Sequence, residues 1–147
     1  MKIVVDTNII FSTLLHTQGN IGDLFFNSGK YFEIYSCFEI LKHWKRLKKI
    51  SGLTEDKLQV SYGQVLSKLK FINEEIIPSE TWASSEKITN GIDPDDIDFV
   101  ALTKFLNATL WTGDKVLYQG LKKANFKKVM TTTELLALRT RKRERKS

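Results

Sequence analysis

Short strand-like stretches alternate with helix-like ones along this chain, and that alternation leaves few folds open. Lys2–Asp6 begins it: Ile3-Val4-Val5 is an apolar run that ends abruptly on an acid. A helical pattern follows through Ile9, Ile10, Phe11, Leu14 and Leu15, with Asn8 placed to cap it. Gly19-Asn20 marks a turn, and a short helix to Asn27 stops at Ser28-Gly29-Lys30. Tyr31–Ser36 is rich in aromatic and β-branched residues and reads as a second strand. Residues 39–49 turn helical, with Ile40, Trp44 and Leu47 on one face and Gly52 as the stop. Leu58, Tyr62, Val65, Leu69 and Ile72 step by alternating fours and threes, an apolar stripe at helical spacing. Glu75–Pro78, Ala108–Thr112 and Lys127–Thr131 read as the third, fourth and fifth strands. Helices are predicted over 81–89, 95–106 and from Asp114 to 123, and the Thr131/Glu134 spacing is that of a capping box before a last helix. Strands separated by helices pair with parallel neighbours. The expected fold is therefore a three-layer α/β/α sandwich with a mostly parallel sheet of about five strands.

The chain has 147 residues, 41% of them hydrophobic and 27% charged, which suits one globular domain. One cysteine, Cys37, excludes an intrachain disulfide and favours a reducing compartment. No apolar run nears the roughly 20 residues of a membrane span, and Asp6 interrupts any leader-like segment, so a cytoplasmic protein with no membrane partner is expected. The formal charge of +6 hints at a polyanionic partner. Its distribution is uneven. Residues 139–147 hold six bases (Arg139, Arg141, Lys142, Arg143, Arg145, Lys146) against one acid, and residues 1–138 hold seventeen bases against sixteen acids. The domain is read as 1–138 and the basic tail as 139–147, which either extends the last helix or frays. Within the near-neutral body, Asp93, Asp95, Asp96 and Asp98 crowd into six positions.

Open parallel sheets place ligand sites at the carboxyl ends of their strands, near a topological switch point. Asp6 ends the first strand, Glu39 lies just beyond the second, Thr112 and Asp114 follow the fourth, and Asp96 begins the helix leading into the fourth. Carboxylates that converge repel one another unless a cation or protons offset them. Oxygen-only ligands suit Mg²⁺ or Mn²⁺. The two histidines and single cysteine lack zinc-site spacing, the phosphate-cradling GxxxxGK[ST] and GxGxxG motifs are absent, and so is the GxSxG elbow of serine hydrolases.

Four segments carry a family resemblance: Val-Val-Asp6-Thr-Asn8-Ile-Ile, Glu39-Ile-Leu-Lys-His43, Asp93-Pro-Asp-Asp96-Ile-Asp-Phe-Val-Ala-Leu-Thr, and Leu-Trp-Thr112-Gly-Asp114-Lys. In order and spacing they resemble the motifs of PIN-domain ribonucleases, above all the small standalone prokaryotic proteins that serve as toxins of toxin–antitoxin pairs. The likeness covers nearly the whole chain. It implies that Asp6, Glu39, Asp96 and Asp114 bind one or two Mg²⁺ or Mn²⁺ ions and carry catalysis. Asn8 matches a polar residue beside the first acid, Thr112 matches the hydroxyl that orders the last, and Asp93 is a candidate neighbour of the metal ligands. The resemblance further implies RNA as substrate, products with 5′-phosphate and 3′-hydroxyl ends, a cognate antitoxin and a homodimer as partners. Val116 stands where many relatives carry a further acid.

Each feature has a plainer reading. Asp6 could simply end a strand, Asn8 and Asp114 could be ordinary helix caps, and Asp95 and Asp98 could be solvated helix charges. Glu39, His43 and Arg46 share a helix stripe, either as a solvated face or as a ligand beside RNA-phosphate contacts. Lys42, Lys45, Arg46 and, past the fourth strand, Lys115 are candidates for holding RNA. Trp44, Trp82 and Trp111 read as core, as does Cys37. Two other functions stay open: a PIN-like RNA- or protein-binding module with weak or no catalysis, and an aspartyl phosphatase. The latter chemistry wants a second acid two residues after Asp6, where this chain has Asn8.

Overall fold

Ile3, Val4 and Val5 have no exposed surface, because the strand they form lies in the middle of the sheet with helices on both sides. The structure is a computed structural model that describes residues 1–38, 44–92 and 96–146. In chain order the strands are β1 (Lys2–Val5), β2 (Glu33–Cys37), β3 (Leu69–Ile72), β4 (Thr109–Trp111) and β5 (Val129–Met130). The helices are α1 (Thr7–Leu15), α2 (Asn20–Asn27), α3 (Trp44–Ser51), α4 (Glu55–Lys68), α5 (Ser79–Thr89), α6 (Ile97–Leu106), α7 (Lys115–Lys123) and α8 (Thr132–Lys146).

All five strands are parallel, in the order β3-β2-β1-β4-β5. The expected α/β sandwich with a parallel sheet is borne out. The chain starts in the centre, builds outward through β2 to β3, returns across the sheet to β4, and ends at β5. Right-handed crossovers put the helices of the two halves on opposite faces. Accordingly α1, α2 and α4 pack together on one side with α8 against α2, while α5 packs with α6 and α7 on the other. Strand order reverses between β1 and β4, so their carboxyl ends flank the switch point.

Two local expectations are corrected. The stripe ending at Leu69 and Ile72 is not all helix: α4 stops at Lys68, and Leu69–Ile72 is the third strand. Both residues fit helical spacing, but Leu69 turns extended (φ −86°, ψ 138°) and the segment pairs along β2 from Ile34↔Leu69 to Cys37↔Ile72. The open edge of β2 satisfies a row of backbone groups that one more helical turn would not. The strand expected at Glu75–Pro78 is instead a 3₁₀ turn, Glu74–Ile76, in which the Asn73 side chain accepts the Glu75 N–H at 3.0 Å. At the start of the chain, Asp6 rather than Asn8 caps α1, through its Oδ1 to the Ile9 N–H at 3.0 Å. Asn8 is already inside the helix and exposed.

Other expectations hold. The Thr131–Glu134 capping box forms in both directions, at 3.1 and 3.2 Å. Gly52 and Gly91 take the left-handed φ values of +64° and +84° that stop their helices. Trp111 and Cys37 are fully buried, and Trp82 packs against the core. Among the described residues, no helix is long and apolar enough to cross a membrane.

The basic C-terminal run continues α8 to Lys146. Its first base is not a surface charge. Arg139 is 6% exposed and donates to Asp23 Oδ2 at 2.6 Å and Ser28 Oγ at 3.1 Å, fastening α8 to α2. Because Asp23 is itself half exposed, solvent discounts that pair to about 1–2 kcal/mol. Truncation after Thr140 is expected to leave the melting temperature within about a degree or two, whereas truncation after Leu138 lowers it by several degrees. Scanning calorimetry of the two truncated chains checks this; equal midpoints contradict the fastening role.

Candidate active site at the sheet edge

A strand that ends on an acid delivers its carboxylate where its own helix begins. Asp6 sits there, 3% exposed, with ψ of 176° continuing the strand into the cap of α1. Its Oδ1 accepts the Ile9 N–H, and its Oδ2 accepts the Thr112 hydroxyl at 2.5 Å. Thr112, 1% exposed, follows β4. The same hydroxyl oxygen accepts the Asp114 N–H at 3.0 Å. One buried threonine therefore ties together the two acids on either side of the switch point. Asp114 caps α7 as predicted, its Oδ1 accepting the Val116 and Leu117 N–H groups at 2.9 and 3.1 Å.

Burial pushes the Asp6 carboxyl up to about 6, and the nearby Asp114 charge adds to this; the hydrogen bonds from Thr112 and Ile9 oppose it. An acid this strained against its own ionisation is relieved by a cation. The donors at this edge are carboxylate and hydroxyl oxygens, which fit a hard divalent ion such as Mg²⁺ or Mn²⁺.

Asp96 is half buried and precedes α6 without capping it. Helix α6 packs over β1, β2 and β4, so Asp96 enters from the helix layer at the same end of the sheet. Just before it, Ile92 packs on α7: a Cβ added at Gly120 would fall 2.5 Å from Ile92 Cδ1. Gly120 thus leaves room for Ile92 against α7. Glu39, Lys42, His43 and Asp93 lie outside the described residues. Lys45 and Arg46 are exposed at the start of α3, and Lys115 is exposed beside Asp114.

A neighbouring group escaped sequence reading. Cys37, Glu74 and Asp98, from the end of β2, the 3₁₀ turn and α6, bring their ligating atoms within 4.8 Å of one another. Among the described residues, Asp6, Asp96 and Asp114 do not converge that closely. Asp98 is therefore half buried at the same edge rather than a solvated surface charge. Glu74 was hidden because the third strand was expected later in the chain. Placing that strand at 69–72 would have put Glu74 at a carboxyl end.

A family model for the PIN domain matches residues 4–139. The chain belongs to the PIN domain family. Among solved structures it is similar to a chain of VapBC2 from Rickettsia felis, bound to a DNA fragment from their promoter, with a TM-score of 0.71. The two are 16% identical, and the match covers 89% of this chain and 98% of that one. At this identity the likeness is one of fold, and the five-stranded parallel arrangement is that of a PIN domain. No curated protein matches the chain.

Two measurements check the site's electrostatics. Thr112→Val strips Asp6 Oδ2 of its donor and is expected to cost about 1–3 kcal/mol in urea unfolding, while Thr112→Ser stays near wild type. The Asp6 carboxyl keeps its proton in the folded chain up to about pH 6, but loses it near 4 when unfolded. Stability of the chelator-treated chain should therefore fall as pH rises from about 3 to about 7, mostly between 4 and 6, by up to about 3 kcal/mol, and level off above that. Asp6→Asn should flatten that slope; an unchanged slope would assign it to other groups.

Proposed function

We propose that this PIN domain is a divalent-metal-dependent endoribonuclease and the toxin of a toxin–antitoxin pair. The observation that carries the reading is the buried Asp6–Thr112–Asp114 linkage at the switch point. It holds the buried Asp6 carboxylate beside Asp114 at the ligand edge, at a cost in stability that a bound cation would offset. Asp6, Asp96, Asp114 and Glu39 hold one or two Mg²⁺ or Mn²⁺ ions. When bound, such an ion neutralises phosphoryl charge and acidifies water.

The chain's own residues divide the remaining work. Thr112 fixes the Asp6 carboxylate relative to the Asp114 backbone, which limits the rearrangement that binding requires of these two ligands. The Asp114 side chain is further held by the first turn of α7. Asn8, exposed in the first turn of α1, and Asp93 complete the polar surroundings. Lys42, His43, Lys45, Arg46 and Lys115 hold the RNA backbone against an otherwise acidic edge, where unscreened phosphate would be repelled. The similar Rickettsia felis chain was solved within VapBC2 on promoter DNA. That supports a protein partner here, an antitoxin that masks the edge, and a homodimer is consistent with the toxin reading.

Cleavage of a mixed RNA panel, with Mg²⁺, Mn²⁺ or EDTA, tests this. Asp6→Asn and Asp96→Asn are expected to lose activity by ~100-fold or more while keeping a wild-type circular dichroism spectrum. Activity that survives both the substitutions and EDTA sinks the mechanism. Absence of both RNA cleavage and Mn²⁺ binding by calorimetry turns the reading toward a non-catalytic binding module.

A further inference from the structure

Beside the acids, a cavity of about 430 Å³ opens between the β4–α7 loop and the β5–α8 turn. Thr112, Gly113 and Asp114 form one of its walls, so whatever fills it lies against the proposed catalytic edge. We propose that this cavity seats one unpaired nucleobase flanking the phosphate to be cut. The proposal rests on the ribonuclease reading and adds a requirement to it: the RNA must be single-stranded at that position.

Size, chemistry and rigidity favour a base. The volume falls within the range of about 300–1,000 Å³ typical of small-ligand sites, and a duplex could not enter it. The lining is mostly apolar, with Ile21 and the Tyr118 ring contributing. Asp114 and Lys115 both line the cavity and offset one another in charge, so its apolar surface, not its charge, decides for a flat uncharged ring. Polar groups sit where a base edge needs them. The Gln119 amide offers both a donor and an acceptor. The hydroxyls of Thr131 and Thr132 already accept, from the Glu134 N–H at 3.2 Å and the Trp111 indole N–H at 3.1 Å, which leaves each an O–H to donate.

The aromatic wall is also fixed in place. The Tyr118 hydroxyl is hydrogen-bonded to Glu134, the carboxylate that closes the α8 capping box. Lys122 Nζ lies 5.4 Å from the centre of the Tyr118 ring. A ring held by two helices offers a stacking surface that loses little freedom when a base arrives. Base–aromatic stacking accepts any base, so the cavity selects for an unpaired nucleotide more than for one sequence.

Amide NMR titration of the chelator-treated chain tests the seat without catalysis. Nucleoside 5′-monophosphates are expected to shift Gly113, Gln119 and Thr132, and ribose 5-phosphate to bind at least about tenfold more weakly. Tyr118→Leu, which keeps apolar bulk for folding, should weaken the nucleotide about tenfold. Ribose 5-phosphate binding as tightly as the nucleotides, no nucleotide shifts at the cavity, or an indifferent Tyr118→Leu would each overturn the proposal. A second arm uses RNA with an abasic ribose on either side of the cut. Cleavage indifferent to both overturns the base seat and leaves the nuclease reading standing. Nucleotide shifts at the cavity with no RNA cleaved support the seat and sink the nuclease reading.

Discussion

A single hydroxyl, that of Thr112, holds the candidate site together. It donates to one carboxylate and accepts the backbone N–H of the residue that bears the next. Neither partner is replaceable by water, since Asp6 and Thr112 are almost fully buried. The rest of the fold can be read as the means of bringing these groups together. β1 and β4 must be neighbours, they must be parallel, and their register must end them level. The pairing Val5↔Trp111 provides that, setting Asp6 and Thr112 one residue beyond the same rung. The apolar runs that build β1 and β4 are therefore also the parts that set the site's geometry.

Charge is divided as functionally as the strands are. Six of the chain's bases fall in the last nine residues, and the first of these, Arg139, is spent on packing α8 against α2. The Arg139 Nε is buried without a partner, a cost the fold tolerates to keep the fork on Asp23 and Ser28. Arg141, Arg143 and Arg145 are exposed along the end of α8. The body is close to neutral, and Asp6, Glu74, Asp98 and Asp114 lie at the carboxyl edge of the sheet. An overall pI of about 9.4 says little about such a molecule. What matters for a phosphate-bearing substrate is which edge carries which sign.

Much of this was legible in the residues. Alternating strand and helix patterns fixed the layer architecture, because long crossovers leave parallel pairing as the economical outcome. Asp6 stood out as an acid on the end of an apolar strand, and Thr-Gly-Asp114 as a cap after another. The third strand was harder. Leu69 and Ile72 satisfy both a helical stripe and a strand, and only the open edge of β2 decides between them. That ambiguity concealed Glu74 and hence its meeting with Cys37 and Asp98. The cap of α1 was missed by two residues for a related reason: Asn8 and Asp6 are both good capping types, and the choice depends on where the strand stops. The hydroxyl link through Thr112 was visible only as a resemblance, since no local pattern predicts a bond between residues so far apart.

That separation has a consequence for how the protein comes into being. Asp6 and Thr112 are 106 positions apart, so the first acid emerges from the ribosome long before its partner exists. Helices α1 to α4 can form and dock early, but β4 must then add to the free edge of β1 before β5 can pair with it, a long-range step in the sheet. Until it does, Asp6 has no orienting hydroxyl and β1 has an open edge. A chain cut short anywhere before residue 112 keeps its first acid and lacks the site. Assembly of the candidate site is in this way deferred until β4 has been made, well after its first acid.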